Sequence, residues 1–116
     1  MNKLKDGLYA YREGNYKRAL RCLLPLAETG DATAQCYVAS IYQGGLGVPA
    51  DGQAAVTWYR KAAEQEVREE RLSAIAYNNL ATIFATGMPG VSRDPALAKQ
   101  YWRKAAELGF EMILRE

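Results

Sequence analysis

Residues 34–65 read AQCYVASIYQGGLGVPADGQAAVTWYRKAAEQ, and residues 76–108 read AYNNLATIFATGMPGVSRDPALAKQYWRKAAEL. The two stretches are copies. Ala34, Val38, Ala39, Ile41, Tyr42 and Gly45 align with Ala76, Leu80, Ala81, Ile83, Phe84 and Gly87. One extra residue in the second loop then shifts the register. Beyond it, Gly47, Val48, Asp51, Ala55, Arg60, Lys61, Ala62, Ala63 and Glu64 align with Gly90, Val91, Asp94, Ala98, Arg103, Lys104, Ala105, Ala106 and Glu107. Self-similarity at this period is the mark of a stacked array, in which a single unit cannot bury its apolar face without a neighbour.

Working outward from the copies, the chain reads as helices. Residues 3–13 form a first helix that Gly14 stops, because a glycine takes the left-handed conformation of a helix end without steric cost. Asn15 caps a second helix at about 16–29, with Tyr16, Ala19, Leu20, Leu23 and Ala27 along one stripe. Pro25 lies inside this helix and is expected to kink or weaken it. Asp31 caps a third helix at about 32–44. Asp51 caps the fourth, and Asp94-Pro95 caps the sixth with a proline suited to the first helical position. The loop 44–49, GGLGVP, calls for positive φ, and Val48 and its counterpart Val91 are expected to fill apolar gaps between helices. Ala55, Tyr59, Ala62 and Ala63 share one face of the fourth helix; Ala98, Trp102, Ala105 and Ala106 share that of the sixth. Alanines let helices approach closely and the aromatics fill the remaining volume.

The array departs from its rule once. Ala27 leads to Ala34 in seven steps, but Ala63 reaches Ala76 in thirteen, and the surplus includes the charged run EVREER at 66–71. The glycine expected at 66 is Glu66. The fourth helix is therefore expected to run on by a turn or two, supported by a Glu64–Arg68 pair. The units read as about 3–30, 31–66 and 73–109 of a single domain. Residues 110–116 form a C-terminal cap whose Phe110, Ile113 and Leu114 either cover the last pair or leave an apolar end for a homodimer.

Composition narrows the functional classes. A chain of 116 residues with a net charge of +2 is one domain with no bulk basicity pointing to nucleic acid. Charge is uneven: residues 1–21 are rich in Lys and Arg, whereas 22–59 contain neither. No run of residues suits a signal peptide or a membrane span, so the chain reads as cytoplasmic and without a membrane partner. Cys22 and Cys36 have neither CxxC spacing nor a histidine near them, so no zinc site is expected, and a disulfide between them is not favoured. Histidine is absent altogether, which removes imidazole triads and relays. Asp31, Asp51 and Asp94 are accounted for as caps. GGLGV lacks the strand before it and the Lys-Ser/Thr after it that a phosphate loop needs. Neither an enzyme, a cofactor nor a metal is expected.

The pattern V/L-A-x-I-Y/F-x-x-G followed by G-V-x-x-D-x-x-x-A-x-x-aromatic-aromatic-R-K-A-A-E resembles the Sel-one-like repeat, a relative of the tetratricopeptide repeat. GLYAYREGNYKRALRCLLPLAETGDATAQ resembles the tetratricopeptide-like unit that precedes such arrays. The resemblance implies an all-α, right-handed superhelix of antiparallel helix pairs, about three repeats long, serving as an adaptor or scaffold for a protein or peptide partner. Two alternatives are an immunity protein that neutralises a bacterial toxin and a self-associating structural protein. The resemblance also implies an inner, concave wall lined by the first helix of each pair. That projection places Tyr9, Arg12, Ser40, Gln43, Asn78 and Thr82 there as partner-binding residues, together with Cys36.

Overall fold

The computed structural model describes residues 2–65 and 70–109. Six helices follow one another: α1 (Lys3–Arg12), α2 (Tyr16–Glu28), α3 (Ala32–Gly44), α4 (Gly52–Ala63), α5 (Glu70–Thr86) and α6 (Pro95–Glu107). They pair as α1 with α2, α3 with α4 and α5 with α6, and the pairs stack through α2 on α3 and α4 on α5. First helices also meet directly, α3 against α5. The result is an all-α solenoid. Among the described residues the only β-type pairing is the isolated Met88–Val91 bridge in the loop before α6.

Four of the six helix starts carry the caps that the sequence predicts. Asn15, Asp31, Asp51 and Asp94 accept the backbone N–H of Arg18, Ala34, Ala54 and Leu97, at 3.3, 2.8, 3.1 and 3.1 Å. Such caps satisfy orphan donors of the first turn. Helix α2 runs unbroken through Pro25. The loops depend on glycine where φ is positive, at Gly45 (62°) and Gly47 (71°).

Two dry cores lie between the helices. The first joins Ala10, Ala19, Leu23, Ala27, Ala34, Val38 and Ile41; the second joins Ala39, Ala55, Tyr59, Ala62, Ala63, Ala76, Leu80 and Ile83 with Val56. Small residues dominate, so the helices approach closely and few large side chains suffice to fill the space. Tyr42 and Trp58 pack against both cores and tie them together. Val48 and Val91 fill gaps beside the first and second core respectively.

Two expectations need correction. Helix α4 does not run on past Ala63: Glu64 and Gln65 form a turn, with their N–H groups returning to the carbonyls of Arg60 and Ala62. The Gln65 side chain replaces the missing glycine as the means of arrest. Its Nε2 donates to the Gly30 carbonyl and to Gln35 Oε1, both at 2.9 Å, while Gln35 Nε2 donates to the Ala27 carbonyl at 3.0 Å. The surplus chain lengthens α5 at its start instead; Ala74 is the counterpart of Ala32, and α5 begins four residues ahead of it. Arg68, the proposed partner of Glu64, lies outside the described residues, as does the 110–116 cap. The second correction concerns the aromatics. Tyr59 is buried, but its counterpart Trp102 is 44 % exposed, because α5 covers α4 and no described helix covers α6.

Candidate functional site

On α3 the partly buried positions recur at Thr33, Cys36, Tyr37, Ser40 and Gln43, a single helical face on which Cys36 and Tyr37 also pack against the cores. On α5 the counterparts of Cys36, Tyr37 and Ser40 are Asn78, Asn79 and Thr82, and these too stay partly or fully exposed. The core positions repeat in kind, whereas this face changes its chemistry from copy to copy.

Four of the six residues projected onto an inner wall belong to this face: Ser40, Gln43, Asn78 and Thr82. The Ser40 Oγ lies 2.9 Å from the Tyr11 hydroxyl, joining α3 to α1. Gln43 Oε1 accepts a hydrogen bond from the Tyr59 hydroxyl at 2.7 Å. Thr82 Oγ1 donates to the carbonyl of Asn78 at 3.1 Å, and Thr86 Oγ1 to that of Thr82 at 3.0 Å. Hydroxyls bonded back into their own helix have less to offer a partner than free ones. Gln43 and Asn78 are the partly exposed amides of the group, and the Gln43 oxygen is taken up by Tyr59.

Tyr9 and Arg12 stand apart from these four. Tyr11 turns toward α3, and Tyr9 is two residues from it, a rotation of about 200° around the helix. Tyr9 is 63 % exposed and directed away from Ser40, toward the open end of the array. Arg12 is exposed at the last turn of α1.

The projection from the resemblance missed the residues that organise this face. Tyr59 is buried on α4 and brings its hydroxyl to Gln43 on α3. Burial pushes its pKa up, with Cys36 and Tyr11 adding to the effect, while hydrogen bonds from Asn79 and Ser40 oppose it. The hydroxyl therefore stays protonated and acts as a donor. Tyr11 packs edge-on against Tyr37 and Tyr16, with ring centroids at 4.9 and 5.5 Å, a favourable arrangement of aromatic quadrupoles. Extending the match of Cys36 and Ser40 with Asn78 and Thr82 by one position would have found Tyr37 and Asn79.

The Cys36 thiol is pushed up to about 12 by burial. It is an uncharged packing group at neutral pH, not a nucleophile. Cys22 and Cys36 are both free thiols. Among the described residues no group of three or more His, Cys, Asp or Glu could hold a metal ion, and no helix is long and apolar enough to cross a membrane.

A second cluster escaped the sequence reading. Arg60 Nε donates to the Tyr101 hydroxyl at 2.9 Å, and its guanidinium lies 5.8 Å from the Phe84 ring centroid and 6.0 Å from that of Tyr101. Tyr101 stacks on both Tyr77 and Phe84. The repeated Arg-Lys pair thus does more than complement a helix end: in the first copy its arginine seals the α4–α6 seam.

Comparison with known proteins agrees with this architecture. The model of the Sel1 repeat matches residues 32–67 and 74–110. No curated protein matches the chain. Among solved structures, a Sel1 repeat protein from Oxalobacter formigenes is 31% identical and superposes with a TM-score of 0.75, over 92% of this chain and 40% of its own. A protective antigen present in uropathogenic Escherichia coli strains, displaying an SLR fold, is 27% identical with a TM-score of 0.79, over 92% of this chain and 22% of its own. The chain therefore spans less than half the length of either relative. Sel1 repeats are in general protein–protein interaction modules. Two family matches covering most of the chain, set on a solenoid with the expected helix pairs, place this protein in the Sel1 repeat family.

Proposed function

We propose that the array is an adaptor module that receives a peptide or helix of a partner protein on the wall made by its first helices. The observation that supports this reading is the contrast between constant and variable positions. Ala34, Val38 and Ile41 keep their character as Ala76, Leu80 and Ile83, whereas Cys36 and Tyr37 become Asn78 and Asn79; Ser40 keeps its hydroxyl as Thr82. A scaffold that holds its interior and varies one exposed face is suited to specific recognition. A short array offers roughly 600–1,000 Å² per partner, so affinity rests on a few anchors. Tyr37, Asn78 and Asn79 are the central candidates, with Arg12 at the margin.

The test uses a partner recovered by affinity capture from native lysate and then purified. Arg12→Glu and Asn78→Arg are expected to weaken its binding by about tenfold or more, with helicity and melting unchanged. Full binding by both variants overturns the assignment of the wall.

A second reading, self-association through the array ends, draws on the exposure of Trp102 and Tyr9. Light scattering at two concentrations decides it: a strictly monomeric chain removes this reading.

A further inference from the structure

A trough runs along the edge where the loops after α3 and α5 meet the second helices. Its first section, about 510 Å³, is lined by Lys17, Leu20, Arg21, Leu24, Pro25 and Val48. The middle section, about 400 Å³, shares Val48 and passes Tyr42 and Pro49 to Gly90. The last, about 500 Å³, shares Gly90 and holds Thr57, Arg60, Ser92 and Arg93. Val48 lies between the first and second sections and Gly90 between the second and third, so the three hollows follow one another along this edge. The repeat explains the trough: by the register of Ala19 on Ala55, the positions of Lys17, Leu20 and Leu24 return as Gln53, Val56 and Arg60.

The two ends differ in chemistry in a way that specifies a ligand. Leu20, Leu24 and Val48 are partly buried against the first core and form an apolar floor. Pro25 has no N–H to give the Arg21 carbonyl, leaving that oxygen without its usual helix partner at the rim. Lys17 and Arg21 are exposed and without an ion-pair partner among the described residues. At the other end, Arg60 and Arg93 are each anchored through Nε, to the Tyr101 hydroxyl and the Ala85 carbonyl, which leaves their terminal nitrogens for an anion. Two carboxylates also line the trough, Asp51 and Asp94; each caps a helix N-terminus, where the helix dipole offsets part of its charge.

We infer that this trough docks an acidic amphipathic segment of a partner protein. A large apolar side chain enters between Leu20, Leu24 and Val48, and carboxylates on either side meet Lys17 and Arg21 and continue toward Arg60 and Arg93. Apolar anchor and unpaired cations together select such a segment over a basic or neutral one. The surface is made by second helices and loops, not by the first-helix wall, so the two assignments fail separately.

The test uses the whole chain and two labelled helix-forming peptides, each with a Leu/Trp stripe, one flanked by Glu and the other by Lys. Fluorescence anisotropy is expected to show binding of the Glu peptide that weakens as salt rises. Arg21→Glu and Arg60→Glu each reduce it by about tenfold, and Leu24→Ser by a similar factor. Asn78→Arg leaves it unchanged. Arg21 is exposed, so its variant remains informative if Leu24→Ser loses structure. Absence of binding by the Glu peptide, equal binding by the Lys peptide, or a loss through Asn78→Arg with none through Arg21→Glu overturns the inference. Concentration-dependent self-association abolished by Arg21→Glu would assign the trough to a second copy of the chain and overturn it too.

Discussion

Tyr59 and Trp102 hold the same place in the two copies, yet Tyr59 is 2% exposed and Trp102 is 44% exposed. The same helix position is core in one unit and surface in the next because only α4 has a described helix packed over it. Position in the array, not residue type, sets the energetic weight of the site. Tyr59→Ala is expected to cost about 3–5 kcal/mol, whereas Trp102→Lys should stay within about 0.5 kcal/mol. Urea unfolding of the two variants checks this, and equal losses would show that α6 is covered in solution.

Gly52 opens α4 where the following loop presses on it. A Cβ there would lie 2.6 Å from Val91 Cγ2 and 2.7 Å from the Pro89 carbonyl oxygen, an oxygen that already accepts the Gly52 N–H at 2.8 Å. Alanine is the better helix former, so propensity alone argues that Gly52→Ala stabilises. The clash with backbone reverses the sign, and a loss of about 1–3 kcal/mol is expected. A neutral or stabilising result in thermal unfolding would contradict the close contact.

Gln35 is 4% exposed and joins two seams, giving a hydrogen bond to Ala27 and receiving one from Gln65. Gln35→Leu removes both bonds at once; the Ala27 carbonyl keeps the Gly30 N–H at 3.1 Å, so the expected cost is about 1 kcal/mol. Gln65→Ala costs less, since Gln65 is only half-buried. In a double-mutant cycle the pair should couple by about 0.5 kcal/mol or more; additive losses would mean that the two amides act independently.

Cys36 carries a pH signature. Its thiol moves from the ordinary 9.0 to about 12 through burial. The folded state therefore holds a proton that the unfolded chain releases. The resulting contribution to stability is complete below pH 9 and is lost as pH rises from 9 toward 12. One proton corresponds to about 1.4 kcal/mol per pH unit. Stability is expected to fall above pH 9, and Cys36→Ala should make the fall shallower. Tyr59, also raised, adds to the decline at higher pH. Identical slopes for wild type and variant would refute the assignment.

Much of the fold was legible because the copies repeat their own punctuation. Asp31, Asp51 and Asp94 mark helix starts, Gly14 and Gly30 mark ends, and the alanines mark the seams; each acts locally, so each can be read locally. The end of α4 was not legible, because what arrests it is Gln65 reaching a carbonyl thirty-five positions earlier in the chain. The exposed face was found only in part. Ser40, Gln43, Asn78 and Thr82 come from the family resemblance, which assigns first helices to the wall; it gives no sign that the Tyr59 hydroxyl reaches Gln43 from a different helix, or that Tyr9 lies on the side of α1 opposite Tyr11. Spacing gives the angle of a residue around its own helix; it does not give what that angle faces.

Trp58 and Tyr42 stand between the two cores and touch each of them. Each therefore supplies packing to two interiors at once. A smaller residue at either position is expected to loosen both cores together, so that damage at one seam is felt at the next.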